Sequence, residues 1–317
     1  MDLHPYKFEP IYKERIWGGR RLETMFRRTL PAGKEIGESW ELADLVEGTS
    51  VVANGPAAGT TLTELTAGLG EKLLGPATAM PNGRFPLLLK LLDANDILSL
   101  QVHPDAEAAR RIGAGAAMKT ECWYVVASDK GFIYKGLRLG VTRDQFAVAV
   151  EAGTESDVVQ RFDVAAGDFH FLPAGTVHAL GPGVVVAEVQ TPSDTTYRVT
   201  DWGRGRETHL DLAMQCIHFE PAADTPPGAD GNVLLATESF TVTKVVDRRP
   251  RPCGSGQCQA VMYLSGQGPL EIAHEGDVEH RVMVRPGAAA LVPAGLDATI
   301  TPPGDSVYLL IDVGGAV

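Results

Sequence analysis

Short strand-like apolar runs dominate this chain, and glycine or proline interrupts most of them. ECWYVVAS (121–128), FHFLPAG (169–175), GVVVAEVQ (183–190), FTVTKVV (240–246), QAVMYLSG (259–266) and SVYLLIDV (306–313) all have this form, as does TSVVANG (49–55). Many short strands separated by turn residues predict a mainly β protein, a sandwich or barrel, with few helices. Helical patterns are predicted in TLTELTAGLGEKLLG with Thr61 as N-cap, in HPDAEAARRIGAG just after Pro104, in TRDQFAVAVEAG between a Thr142 cap and a Gly153 stop, and in ETHLDLAMQCIHF. In LSLQVHPD (98–105), Leu98, Leu100 and Val102 alternate with Ser99, Gln101 and His103. The two sets take opposite faces of a strand, so the polar set belongs to a solvent edge or to an internal site, with the apolar set packed outside it.

Two further patterns organise the chain. The Pro-, Ala-, Gly- and Asp-rich segment 220–231 reads as a linker and places a domain boundary at 222/223, giving units of 1–222 and 223–317. AGDFHFLPAGTVHAL (166–180) and PGAAALVPAGLDATI (286–300) share a glycine followed six residues later by Pro-Ala-Gly. The offset of 120 residues predicts the same hairpin in both units, with His170 and His178 of the first replaced by Ala290 and Ala298 in the second.

Composition narrows the function. A net charge of −12 disfavours a general nucleic-acid or anionic-membrane binder. FPLLLKLLDANDILSL, the most apolar stretch, carries three charges and is too short to span a bilayer, and the N-terminus has no signal-peptide layout, so the expected location is cytoplasmic. Four scattered cysteines make neither a disulfide framework nor a zinc knuckle.

Of the eight histidines, three stand in suggestive company: His103, His170 and His178. Gln101 and His103 share a strand face, Glu121 opens the strand ECWYVV, and His178 follows a tight turn. An amide oxygen, a carboxylate and two imidazoles suit zinc, iron, manganese or nickel, with a position left for water or substrate. Lys119, two residues before Glu121, is a candidate anion-binding charge. Arg198, in the polar run SDTTYRVTDWGR, is a candidate to bind a sugar oxygen or phosphate or to stabilise developing negative charge.

LSLQVHPD, KTECWYVV, LPAGTVHAL and SDTTYRVTDWGR, with RIWGG (15–19) and GESWELAD (37–44), together resemble the short bacterial form of the type I phosphomannose isomerases, over residues 7–210. The resemblance implies the cupin fold, a small antiparallel β-barrel or jelly roll, followed by a degenerate second barrel without metal ligands. It implies one zinc ion per chain, held by Gln101, His103, Glu121 and His178, and a phosphorylated hexose as substrate. The implied reaction interconverts mannose 6-phosphate and fructose 6-phosphate through an enediol. Ser99 and Lys119 match positions near the substrate, and Arg198 matches the arginine regarded as catalytic. The candidates for the base are Lys119, a water on the metal, and Glu41; Trp17 and Trp40 are candidates to pack against the sugar. The large helical insertion of the long form is missing, which leaves the pocket more open. A monomer or homodimer is expected, with no nucleic-acid or membrane partner. The competing readings are an iron-dependent cupin oxygenase, a metal-dependent cupin acting on another sugar, and a sugar-binding regulator that has lost catalysis.

Overall fold

The computed structural model of the chain describes residues 2–113, 115–220, 225–274 and 280–314. The protein is mainly β, as the short runs and turns predict, and its larger sheets are antiparallel, as the family resemblance implies. One six-stranded sheet runs in the order Phe169–Leu172, Glu121–Ser128, Val184–Gln190, Leu88–Ala94, Ile36–Leu42, Ile11–Gly19. A five-stranded sheet faces it, in the order Val159–Asp163, Phe132–Leu137, His178–Leu180, Leu100–Val102, Tyr197–Thr200. A second six-stranded sheet contains Tyr6–Lys7, Ala289–Val292, Gln259–Ser265, Ser306–Val313, Phe240–Asp247 and Val233–Ala236, and a four-stranded sheet is made of Arg251–Gly254, Asp297–Thr301, Leu270–His274 and Val282–Val284.

The two-residue period explains how these sheets stack. In Val184–Gln190, Val185, Ala187 and Val189 enter the largest core, while Val184 and Val186 enter the core under the five-stranded sheet with Trp17, Leu98 and Trp123. In Gln259–Ser265, Ala260 and Met262 enter that same largest core, while Val261 and Tyr263 face the four-stranded sheet. The two six-stranded sheets therefore lie back to back, each buried on both faces. Strands of this kind carry apolar residues on both faces, as Leu88–Ala94 does with Leu89 and Leu91 on one and Leu92 and Ala94 on the other.

Helices cover the outer face of the five-stranded sheet. Ala106–Ile112, Arg143–Glu151 and Leu210–Cys216 bury Ala108, Phe146, Ala213 and Cys216 against Leu100 and Val102. The expected caps are present. Thr61 and Thr142 each accept from the backbone N–H three residues on, and the Glu64 and Gln145 side chains accept the cap residue's own N–H in return. Asp105, just after Pro104, caps the helix beginning at Ala106.

The expected repeat is visible in the backbone. Gly167 and Gly287 both adopt positive φ, 99° and 85°, at the start of strand–turn–strand units. In each unit the first strand joins a six-stranded sheet and the second joins the smaller sheet. The expected boundary at 222/223 falls in 221–224, outside the described residues, as do residues 275–279 of the charged run EIAHEGDVEHR (271–281), which reads as a solvated hairpin and whose flanking strands pair antiparallel.

Two expectations need correction. TSVVANG is not a strand beyond Thr49: Val51 and Val52 make only isolated bridges, because their backbone partners are the turn at Thr60–Thr61 and the N-terminal segment. Leu98 does not pack outside with Leu100 and Val102. The strand begins only at Leu100, and Leu98 turns inward beside Trp17 and Trp123. No helix among the described residues is long and apolar enough to cross a membrane.

Candidate active site

The site forms where the five-stranded sheet faces the first six-stranded one. Leu100–Val102 turns Gln101 inward, and His103 follows directly. His178 opens its strand opposite Gln101 in the ladder, and Glu121 opens a strand of the facing sheet. His103, Glu121 and His178 are buried and form a potential metal-ligand group. His178 Nε2 lies 3.1 Å from Glu121 Oε1 and 3.5 Å separates His103 Nε2 from Glu121 Oε2.

Hydrogen bonds behind the imidazoles fix their orientation. His103 Nδ1 donates to the Thr195 carbonyl and His178 Nδ1 to the Thr176 carbonyl, each at 2.9 Å. Burial, and next the Lys119 charge, push His103 down to about 3, so its imidazole is neutral. The His103 Nε2 lone pair then faces an acceptor-only carboxylate. His103 Nε2 and both Glu121 oxygens are buried with no hydrogen-bond partner of adequate geometry. Burial alone would raise the Glu121 carboxyl, but Lys119 and the histidines hold it well below the ordinary value. A lone pair turned onto an ionised carboxylate makes an unfavourable arrangement that a cation removes, and backbone carbonyls behind both rings are the usual support of metal-ligating histidine. Gln101 Nε2 lies 3.3 Å from His178 Nε2, and a half-turn of the amide presents its oxygen instead. The donor set fits a divalent metal.

A pocket of about 470 Å³ opens beside this cluster, lined by Trp17, Ser99, Gln101, Lys119 and Arg198 among others. Lys119 Nζ stands 2.9 Å from Glu121 Oε2. Ser99 Oγ is 3.5 Å from Gln101 Oε1. Arg198 lies opposite Gln101 in the ladder. One of its terminal nitrogens donates to the Glu207 carbonyl, while Nε has no partner. Burial, then the Arg206 charge, lowers the Arg198 guanidinium from its ordinary value.

Glu41 is not brought to this pocket. It is three residues from Glu38 on one strand, so it takes the other face and pairs with Arg28 at 2.7 Å. Trp40 is fully buried beside Ala43 and Leu88 and offers no face to a sugar. His170 stays outside the cluster, its ring 6.4 Å from Phe162. His218 accompanies Asp105 at 2.8 Å.

Several pocket residues escape the sequence reading. Glu38 accepts from Arg15 Nε at 2.6 Å and from Trp40 Nε1 at 2.7 Å. Lys90 lies 3.0 Å from Glu188 and 3.8 Å from Glu38. Burial, then the Glu121 charge, raises the Glu188 carboxyl. Arg206 reaches the pocket while Asp201 holds its guanidinium. The available signals were a single lysine inside an apolar run and the parity of Glu38 with Trp40.

Fold and site together define a metal-ready enzyme pocket on a double-layered β scaffold. A family model described as phosphomannose isomerase type I, catalytic domain, matches residues 6–129. The mannose-6-phosphate isomerase ManA of Bacillus subtilis (strain 168) is 40% identical over 225 residues, which cover 68% of this chain and 69% of that protein. The mannose-6-phosphate isomerase of Streptococcus mutans is 35% identical over 285 residues, 84% and 88% of the two chains. The crystal structure of the mannose 6-phosphate isomerase from Bacillus subtilis matches with a TM-score of 0.83 at 28% identity, covering 97% of this chain and 99% of that one. The chain belongs to the type I phosphomannose isomerase family and is an isomerase.

Proposed function

We propose that the chain interconverts mannose 6-phosphate and fructose 6-phosphate through an enediol, with one zinc ion held by Gln101, His103, Glu121 and His178. The observation that carries the metal assignment is the convergence of buried His103, Glu121 and His178, with the His103 Nε2 lone pair turned onto an ionised Glu121. Family membership carries the substrate. When bound, zinc supplies a Lewis acid for a carbonyl or hydroxyl oxygen of the sugar.

The isomerisation removes a proton from C2 and delivers one to C1, while O1 gains a proton and O2 loses one. Lys119, with its Nζ 2.9 Å from Glu121, is the candidate base: as the free amine it takes the proton from C2 and returns it to C1. Arg198 stabilises the negative charge that develops on O1 and O2. Its unpartnered Nε supports this role. Glu188, raised by burial and by Glu121, is a second proton carrier in the same pocket. Trp17 and Ser99 line the pocket and contact the sugar phosphate, and Arg15 and Arg206, partly exposed at its rim, suit a phosphate.

A coupled assay for fructose 6-phosphate formed from mannose 6-phosphate, with and without chelator, tests this reading. Turnover that stops on chelation and returns with zinc is expected. Chelator-insensitive turnover contradicts the metal assignment, and no turnover by the zinc-loaded protein contradicts the substrate.

A further inference from the structure

We propose that Ser193 is a positioning residue that locks the metal ligand His103 and the pocket lysine Lys119 into one unit. The inference rests on the metal site proposed above. Residues 193–196 alternate: Asp194 and Thr196 line the pocket, while the hydroxyls of Ser193 and Thr195 bond to the 117–120 segment behind it. Ser193 Oγ donates to the Ala117 carbonyl and accepts from Thr195 N–H, both at 3.1 Å. Thr195 Oγ1 accepts from Ala117 N–H at 3.1 Å, and the Thr195 carbonyl accepts from His103 Nδ1 at 2.9 Å.

The same two segments are joined again at Thr191 and Thr120, and Lys119 N–H donates to the Pro104 carbonyl at 3.1 Å. Lys119 thus sits on the 117–120 segment, which is bonded both to the residue after His103 and to the 191–195 loop. One hydroxyl, on a residue only 3% exposed, bonds both to the loop that orients His103 and to the segment that carries Lys119. A partner behind a ligating histidine sets the ring's tautomer and direction, and losing one costs roughly 10–100-fold in metal affinity.

The test is zinc affinity, measured with the zinc ion alone by competition against a chromogenic chelator, for wild type, Ser193→Ala and Ser193→Thr. Ser193→Ala is expected to weaken zinc about tenfold and to raise the KM for mannose 6-phosphate, while Ser193→Thr, which keeps the hydroxyl, restores zinc binding to near the wild-type value. Thr195→Val removes only the bond from Ala117 N–H and is expected to weaken zinc by a smaller factor; it carries the test if Ser193→Ala fails to fold. A zinc affinity within about twofold of wild type in the folded alanine variant, or in Thr195→Val where that variant stands in, overturns the proposal. A wild type that binds no zinc overturns the metal reading itself, and this inference with it.

Discussion

Replacing Lys90 by methionine removes a buried cation from between two carboxylates. The lysine side chain is 4% exposed, 3.0 Å from Glu188 and 3.8 Å from Glu38. Burial works against the ammonium, but Glu188 and Glu38 overcome it and raise Lys90 above its ordinary value. Without it Glu38 keeps Arg15 and the Trp40 indole, whereas Glu188 keeps the Trp123 N–H and the attraction of Lys119. Breaking a buried pair by removing one partner costs about 3–5 kcal/mol, a large part of a total stability of about 5–15 kcal/mol. The thermal midpoint should therefore fall by on the order of 10 °C. The orphaned Glu188 then has a folded-state pKa above its unfolded one, so the deficit grows as pH rises from 5 to 8. Urea denaturation at those two pH values measures this. Lys90→Met/Glu188→Gln should recover at least half of the loss, because it removes the orphan. A single variant within about 1 kcal/mol of wild type at pH 8, or a double variant that loses the sum of both singles, refutes the reasoning.

Glu38 carries a second, opposite pH signature. Burial raises it, but Lys90, Arg15 and the Trp40 indole hold it at about 2 against an ordinary 4.5. The stability it contributes is present above 4.5 and is lost as pH falls through 2, so Glu38→Gln should flatten the acid limb of a denaturation-against-pH curve; an unaltered limb contradicts this. Arg198→Ala should lower kcat about 10²–10³-fold with zinc content unchanged by elemental analysis, and unchanged turnover would remove its catalytic role.

Much of the fold was legible where one face of a strand is apolar and the other polar. Leu100 and Val102 against Gln101 gives the correct inward face, and Gly167 with Gly287 marks the repeated hairpin because both need positive φ. Parity fails where the strand ends: Leu98 precedes the first ladder residue, so the alternation does not extend to it. It also misleads in Ile36–Leu42: Ile36, Trp40 and Leu42 mark one face as apolar, so Glu41 on the other face reads as the site acid, yet the ladder puts Glu38, on the apolar face, opposite Leu92 and beside Lys90. Lys90 reads as an ordinary charge because the sequence does not reveal that both faces of its strand are covered. The back-to-back stacking of the six-stranded sheets is hidden for the same reason, since doubly buried strands lose their alternation.

The central claim is that lone pairs on His103 and His178 and the Glu121 carboxylate exist to hold a metal that the isomerase reaction needs. Zinc content and mannose 6-phosphate isomerisation measured together on wild type and His178→Ala test it most directly. The account predicts about one zinc per wild-type chain with turnover, and loss of both in the folded variant. Full turnover by a zinc-free His178→Ala protein would contradict it.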